Sequence, residues 1–319
     1  MQSLIKAVLL SSVFALSPVS AHWYLSCFGS GTAACVEGAN QNPFDKAIGN
    51  NGFLQTAPIA PADTNPQMKC GTMGVPTDAV EPIQVSPGGS MMAQFLHDTG
   101  AAWDVRMNAN HHGFANVYLA PYSSAGEGQV WTKIYGDGLQ ATTEQEKSMW
   151  ANPANTDSCT TGAVPANQCT VVPFVGWWAT DKLRMNHGVL PFTLPSSLPS
   201  GKYILRGELL TTYLPNTVST AQGYIGCGVI QVGQGGSQSA PLPNAVDIPG
   251  AYAGAAWMHY DLYSKWINGA DSPPSDLPGN PGPAVWGGGS NGSSSGSGPS
   301  AVPLATGSPT AGRRRRRMV

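Results

Sequence analysis

Apolar and polar residues alternate in short bursts along much of this chain. The runs "EPIQVSP" (81–87), "SMMAQFLHD" (90–98), "ANVYLAPY" (115–122), "QVWTKIYGDG" (129–138), "GKYILRGELLTTY" (201–213) and "GYIGCGVIQVG" (223–233) carry β-branched and aromatic residues in partial period-two alternation, with Gly and Pro between them. The pattern predicts half-buried antiparallel strands. One stretch, "TTEQEKSMW" (142–150), reads as helix. The economical fold is all-β: an immunoglobulin-like or fibronectin-like antiparallel β-sandwich with long loops.

The two ends of the sequence depart from this pattern. Residues 1–21 have the parts of a secretory signal peptide: Lys6, an apolar run from Ala7 to Leu16, and the small residues Val19, Ser20 and Ala21. That run is too short to span a bilayer. From residue 287 to 319 the chain is rich in Gly, Ser and Pro and ends in the run Arg313–Arg317, which predicts a disordered tail. The expected organisation is a signal peptide (1–21), one β-sandwich domain (22–286) and the tail (287–319).

Composition narrows the partners. Only 11% of residues are charged and the formal net charge is -2, so neither nucleic acid nor a membrane surface is an expected partner; an uncharged polymer fits better. The even number of cysteines, 6, suits an oxidising compartment, and the expected product is a secreted, extracellular monomer. Gly-x-Ser-x-Gly spacing occurs only in the Gly/Ser-rich tail, at 288–292 and 292–296, where no strand-to-helix elbow is expected, and no P-loop, His-Glu-x-x-His or Cys-x-x-Cys is present. Glu81, Glu127, Asp137, Asp181 and Glu208 are the carboxylates from which a glycosidase pair would have to be drawn.

Histidine offers more specific chemistry. Cleavage after Ala21 leaves His22 as the first residue, where the α-amine and the ring Nδ1 form one chelate. A third nitrogen would complete a planar T, a geometry that suits copper. His111 and His112, in "NANHHGFANVYLAP", are both available, and because neighbouring strand residues point to opposite sides, one of the two is expected to face the metal.

His22, "NHHGFANVYLAP", "VWTKIYGDG", "LPSGKYILRGELL", "AQGYIGC" and "PGPAVW" occur in an order that resembles the fungal lytic polysaccharide monooxygenases of auxiliary activity family 9. The resemblance implies one copper ion per chain and oxidative cleavage of a polysaccharide, cellulose or a related plant cell-wall glycan, using O2 or H2O2 and an external electron donor. The family's second copper histidine opens a His-x-Gly-Pro motif, so the resemblance selects His111 as ligand, with His112 as fallback because Phe114 stands in place of the proline. It implies that Tyr224 occupies the axial position beside copper and that Gln222 hydrogen-bonds the oxygen co-substrate. At the position of a family histidine that donates a proton or hydrogen bond to that co-substrate, this chain has Tyr213, separated from Gln222 by eight intervening residues. Pro278 stands where the family often carries a substrate-facing tyrosine. These two departures motivate an alternative: a copper-binding or glycan-binding protein on the same scaffold with little oxygenase activity. The resemblance also implies a Cys70–Cys227 bridge, with Cys27–Cys35 and Cys159–Cys169 as local pairs, and assigns Asp137 and Glu208 structural roles.

Overall fold

The structure is a computed structural model, and it describes residues 23–31, 65–71, 74–76, 78, 80–97, 111–141, 176–186, 188–212, 221–233, 241–262 and 274–287. The helix expected at 142–150, the signal peptide and the tail beyond residue 287 lie outside the described residues. In chain order the elements are β1 (Trp23–Ser30), α1 (Gln67–Cys70), β2 (Ile83–Val85), β3 (Ser90–His97), β4 (His112–Pro121), β5 (Thr132–Asp137), β6 (Gln140–Ala141), β7 (Gly176–Trp177), α2 (Ala179–Met185), β8 (Val189–Thr193), β9 (Gly201–Thr212) and β10 (Ala221–Val232).

Two sheets form a sandwich. One has the order β1-β3-β8 and the other β2-β10-β9-β4-β5, while β6 and β7 make a separate short ribbon. The pairing is antiparallel except for β2, which lies parallel to β10. Thus all six predicted strand runs form strands, but the sheet is mixed where alternation alone suggested an antiparallel one.

The pleat sorts the side chains. From β4, Ala115, Val117 and Leu119 enter the space between the sheets, where they meet Leu25 and Phe28 of β1, Met91 and Phe95 of β3, and Leu205 and Leu209 of β9. In β1 the register shifts between Leu25 and Cys27, so the inward residues are Trp23, Leu25 and then Phe28. Opposite Phe28 sits Gly228, where an added Cβ would lie 2.7 Å from the ring.

The far face of the larger sheet is also buried, contrary to the half-buried strands the alternation predicts. Phe114, Tyr118, Ile204, Leu210 and Ile225 lie beneath Trp131, Trp178, Ile248 and Trp257, which come from the connecting segments. Every residue of β4 is buried. The bridge Cys70–Cys227, spanning 157 residues, ties α1 to β10 on this face and stabilises by about 5 kcal/mol in the chain-entropy picture. Cys27 is also disulfide-bonded; Cys35, Cys159 and Cys169 lie outside the described residues.

A polar network crosses the same face. Arg206 and Glu208, both fully buried, form an ion pair, and Arg206 also donates from Nε to Lys69 O (2.7 Å) and from Nη2 to Met68 O (2.6 Å), capping carbonyls of α1. Asn116 Nδ2 (2.9 Å) and the Tyr252 hydroxyl (2.8 Å) donate to the Glu208 carboxylate. Lys133 donates to Pro281 O (2.6 Å) and Asn280 to Asn116 Oδ1 (2.7 Å), which anchors the 274–287 segment on the sheet.

Burial lowers the Lys133 amine to about 8. Between pH 8 and its ordinary value the unfolded chain holds more protons on this group than the folded one, so its contribution to stability rises with pH. Wild type should therefore gain about 1.5 kcal/mol relative to Lys133→Met between pH 8 and 9.5. Urea midpoints of both proteins at both pH values measure this, and the comparison cancels the tyrosines that the two share.

Candidate functional site

The first strand of the smaller sheet and two strands of the larger one begin at the same end of the sandwich. Trp23 opens β1, His111 immediately precedes β4, and Gln222 and Tyr224 lie near the start of β10. The register explains the meeting: Thr212, the last residue of β9, pairs with His112 on one side and Ala221 on the other. An antiparallel sheet brings the beginnings of alternate strands to one rim.

Three rings form the centre of this rim. The Trp23 indole lies 4.9 Å from the His111 ring and 5.1 Å from the Tyr224 ring, and His111 and Tyr224 are 6.0 Å apart with planes at 64°. All three are buried, at 1%, 2% and 2% exposure, so the imidazole is held by aromatic walls and not by solvent. The Tyr224 hydroxyl donates to Gln222 Oε1 at 2.7 Å. That bond orients the amide, directing its NH2 group away from the phenol.

His112 faces elsewhere. Its Nδ1 lies 3.3 Å from Asp181 Oδ2, and the same carboxylate oxygen accepts a hydrogen bond from the Trp178 backbone N–H at 3.0 Å. The neighbouring Gly113 N–H donates to Thr180 Oγ1 at 3.1 Å. Phe114, in the position of the family's proline, packs edge-on against Trp178 (5.6 Å) and Trp257 (4.6 Å). His22 and Tyr213 lie outside the described residues. Among the described residues no three His, Cys, Asp or Glu side chains form a metal-sized group.

Four of the five candidate carboxylates are engaged with different partners, Glu127 with Lys69, Asp137 with Lys182, Asp181 with His112 and Glu208 with Arg206, while Glu81 is exposed. Asp137 and Glu208 thus occupy structural positions. Sequence reasoning missed Thr180 and the wall formed by Trp23, and it named Asp181 only as a glycosidase carboxylate, not as the partner of His112. The acidic residue at the third position of "ATDKLRM" was the available signal, because an acid there reaches back to the N–H at the helix start.

Comparison with known proteins follows the same lines. Residues 29–269 match the model of Auxiliary Activity family 9 (formerly GH61). AA9 family lytic polysaccharide monooxygenase A of Aspergillus terreus is 31% identical over 257 residues, 79% of this chain and 58% of that protein. Monooxygenase B of Emericella nidulans is 30% identical over 258 residues, 79% of this chain and 59% of that protein. The chain therefore spans under two thirds of the length of these relatives. Two solved structures share the fold: CvAA9A, with TM-score 0.55, 23% identity and coverage of 84% of this chain and 100% of that one, and HiLPMO9B, with TM-score 0.53, 21% identity and coverage of 83% and 99%. The family-model match over residues 29–269, which covers most of the chain, leads to one assignment: this chain belongs to Auxiliary Activity family 9.

Proposed function

We propose that the chain is a secreted, copper-dependent lytic polysaccharide monooxygenase acting on cellulose or a related plant cell-wall glycan. The observation that carries this reading is the clustering of His111, Tyr224 and the Gln222 amide against Trp23, the residue that directly follows His22. The donor chemistry fits copper: an imidazole nitrogen and a phenol oxygen lie beside the chain position that supplies an amine and a second imidazole. The described cysteines Cys27, Cys70 and Cys227 are all in disulfides, so no thiolate from them competes for the metal.

His22, through its amine and ring, and His111 would hold the metal, with the Tyr224 oxygen as a weakly basic neighbour. Copper, when bound, supplies the one-electron chemistry by which O2 or H2O2 oxidises a carbon of the glycosidic linkage. The protein's own part is positional. Trp23 packs against both rings and keeps water from the sandwich side of the site. Gln222, oriented by Tyr224, presents amide hydrogens to the oxygen co-substrate.

The test is oxidised-product analysis on a glycan panel with copper-loaded protein, reductant and H2O2. Release of oxidised oligosaccharides supports the proposal; copper binding without products selects the alternative of a binding protein, which Tyr213 and Pro278 favour. The adjacent histidines give a sharper check. His111→Ala should abolish tight copper binding, whereas His112→Ala should change it modestly, because His112 is turned toward Asp181. Titration calorimetry of the two variants measures the difference.

A further inference from the structure

The β4–β5 ladder begins only at Ala115, paired with Asp137, although β4 itself begins at His112 and is paired with β9 from that residue on. Residues 112–114 therefore have β9 on one edge and no β5 on the other. A buried amide on that open edge would lack a partner. The first turn of α2 takes the place of the missing strand. Thr180 Oγ1 accepts the Gly113 N–H at 3.1 Å, and Asp181 Oδ2 meets His112 Nδ1 at 3.3 Å. A carboxylate only accepts, so His112 Nδ1 carries the hydrogen of this contact.

The other side of the same segment leaves little freedom. A Cβ added at Gly113 would lie 2.0 Å from Leu210 O, so β9 approaches the backbone as closely as glycine permits. Asp181 is itself held, since its Oδ2 also accepts the Trp178 N–H at 3.0 Å. Phe114 is wedged between Trp178 and Trp257. The three residues after His111 are each fixed by α2 or the segments beside it.

We propose that Asp181 and Thr180 are positioning residues that clamp the His112–Gly113 backbone and thereby set the direction of the His111 imidazole. The proposal rests on the copper reading of His111 given above. His111 stands just before the first β4–β9 pair, beyond the end of that ladder, and partners outside the ligand set commonly govern affinity by about 10- to 100-fold. Here that restraint comes from a helix 69 residues further along the chain.

The test uses chains beginning at His22, with wild type, Asp181→Ala, Asp181→Asn, Thr180→Val and Lys182→Ala compared. Copper(II) affinity is measured by titration calorimetry, site geometry by EPR, and the thermal midpoint of each metal-free protein by circular dichroism. Asp181→Ala should weaken copper by about 10- to 100-fold and change the copper hyperfine splitting. Asp181→Asn keeps an acceptor oxygen and should stay within about 3-fold of wild type. Thr180→Val should give a smaller loss in the same direction and serves if Asp181→Ala does not fold. Lys182→Ala, on the same helix but bound to Asp137, should leave affinity and spectrum unchanged. Wild-type affinity and spectrum in a folded Asp181→Ala overturn the proposal. Losses in Asp181→Ala and Lys182→Ala that scale alike with thermal midpoint also overturn it. Failure of the unmutated chain to bind copper brings down the copper reading itself, and that arm distinguishes the two failures.

Discussion

A chain with one additional residue ahead of His22 should bind copper(II) orders of magnitude more weakly than the chain beginning at His22. The reason is stoichiometric. In the proposed site two of three nitrogens come from one residue, and the amine is a ligand only while it is not part of a peptide bond. Acylating it removes the chelate ring that the amine and Nδ1 form together and replaces a basic amine, with an ordinary pKa near 8, by a far less basic amide. The His111, Tyr224 and Trp23 rings remain, so the protein should fold unchanged. Titration calorimetry and EPR on the two chains measure the effect, with equal thermal midpoints as the check on folding. Equal affinities would eliminate the amine from the site and with it the chelate argument.

Tyr213→His should raise peroxide-driven turnover by about 10²- to 10⁴-fold while leaving copper affinity nearly unchanged. A phenol with an ordinary pKa near 10 is a poorer proton donor at neutral pH than an imidazole near 6.5, and general-acid catalysis improves as the donor approaches the working pH. In sequence the residue directly follows Thr212, the partner of His112. Initial rate and inactivation rate on one glycan, for wild type, Tyr213→His and Tyr213→Phe, decide the matter. A fall in rate or lifetime for both variants would mean that the tyrosine is adapted to this chemistry. No change in either quantity would remove position 213 from the mechanism.

Alternation was enough to find the strands that carry it cleanly, and the elements it missed have local causes. In β1 the shift between Leu25 and Cys27 breaks period two in mid-strand. In β8, Pro191 interrupts "VLPFT", which argues against a strand by residue type; the structure tolerates it because β8 is the edge of the β1-β3-β8 sheet. With 7 residues, α2 is too short for helical periodicity to stand out. The second buried face was hidden for another reason: Trp131, Trp178 and Trp257 reach it from connecting segments whose direction no periodicity encodes.

The site was legible to a similar degree. Strand register brings His111, Gln222 and Tyr224 to one rim, and their roles toward a metal belong to the proposal. The choice between His111 and His112 was different, since adjacent residues on a strand differ only in side. What separates them is a carboxylate on a helix 69 residues away, and pairing at that distance is a property of the fold, not of the motif.

The burial of the Cys70–Cys227 bridge has a consequence for how such a protein lives with its own chemistry. An oxidative enzyme supplied by small-molecule reductants works in a stream of electrons that a disulfide also accepts. Each sulfur-bearing residue here is only 1% exposed, beneath the segments that cover the larger sheet, whereas the proposed electron acceptor lies at the rim where β1, β4 and β10 begin. Thiol exchange requires direct approach to a sulfur atom, so the covering segments act as a kinetic shield. Prolonged incubation with a thiol donor should therefore exhaust the reductant before it loosens the scaffold, and loss of activity under those conditions would originate at the rim.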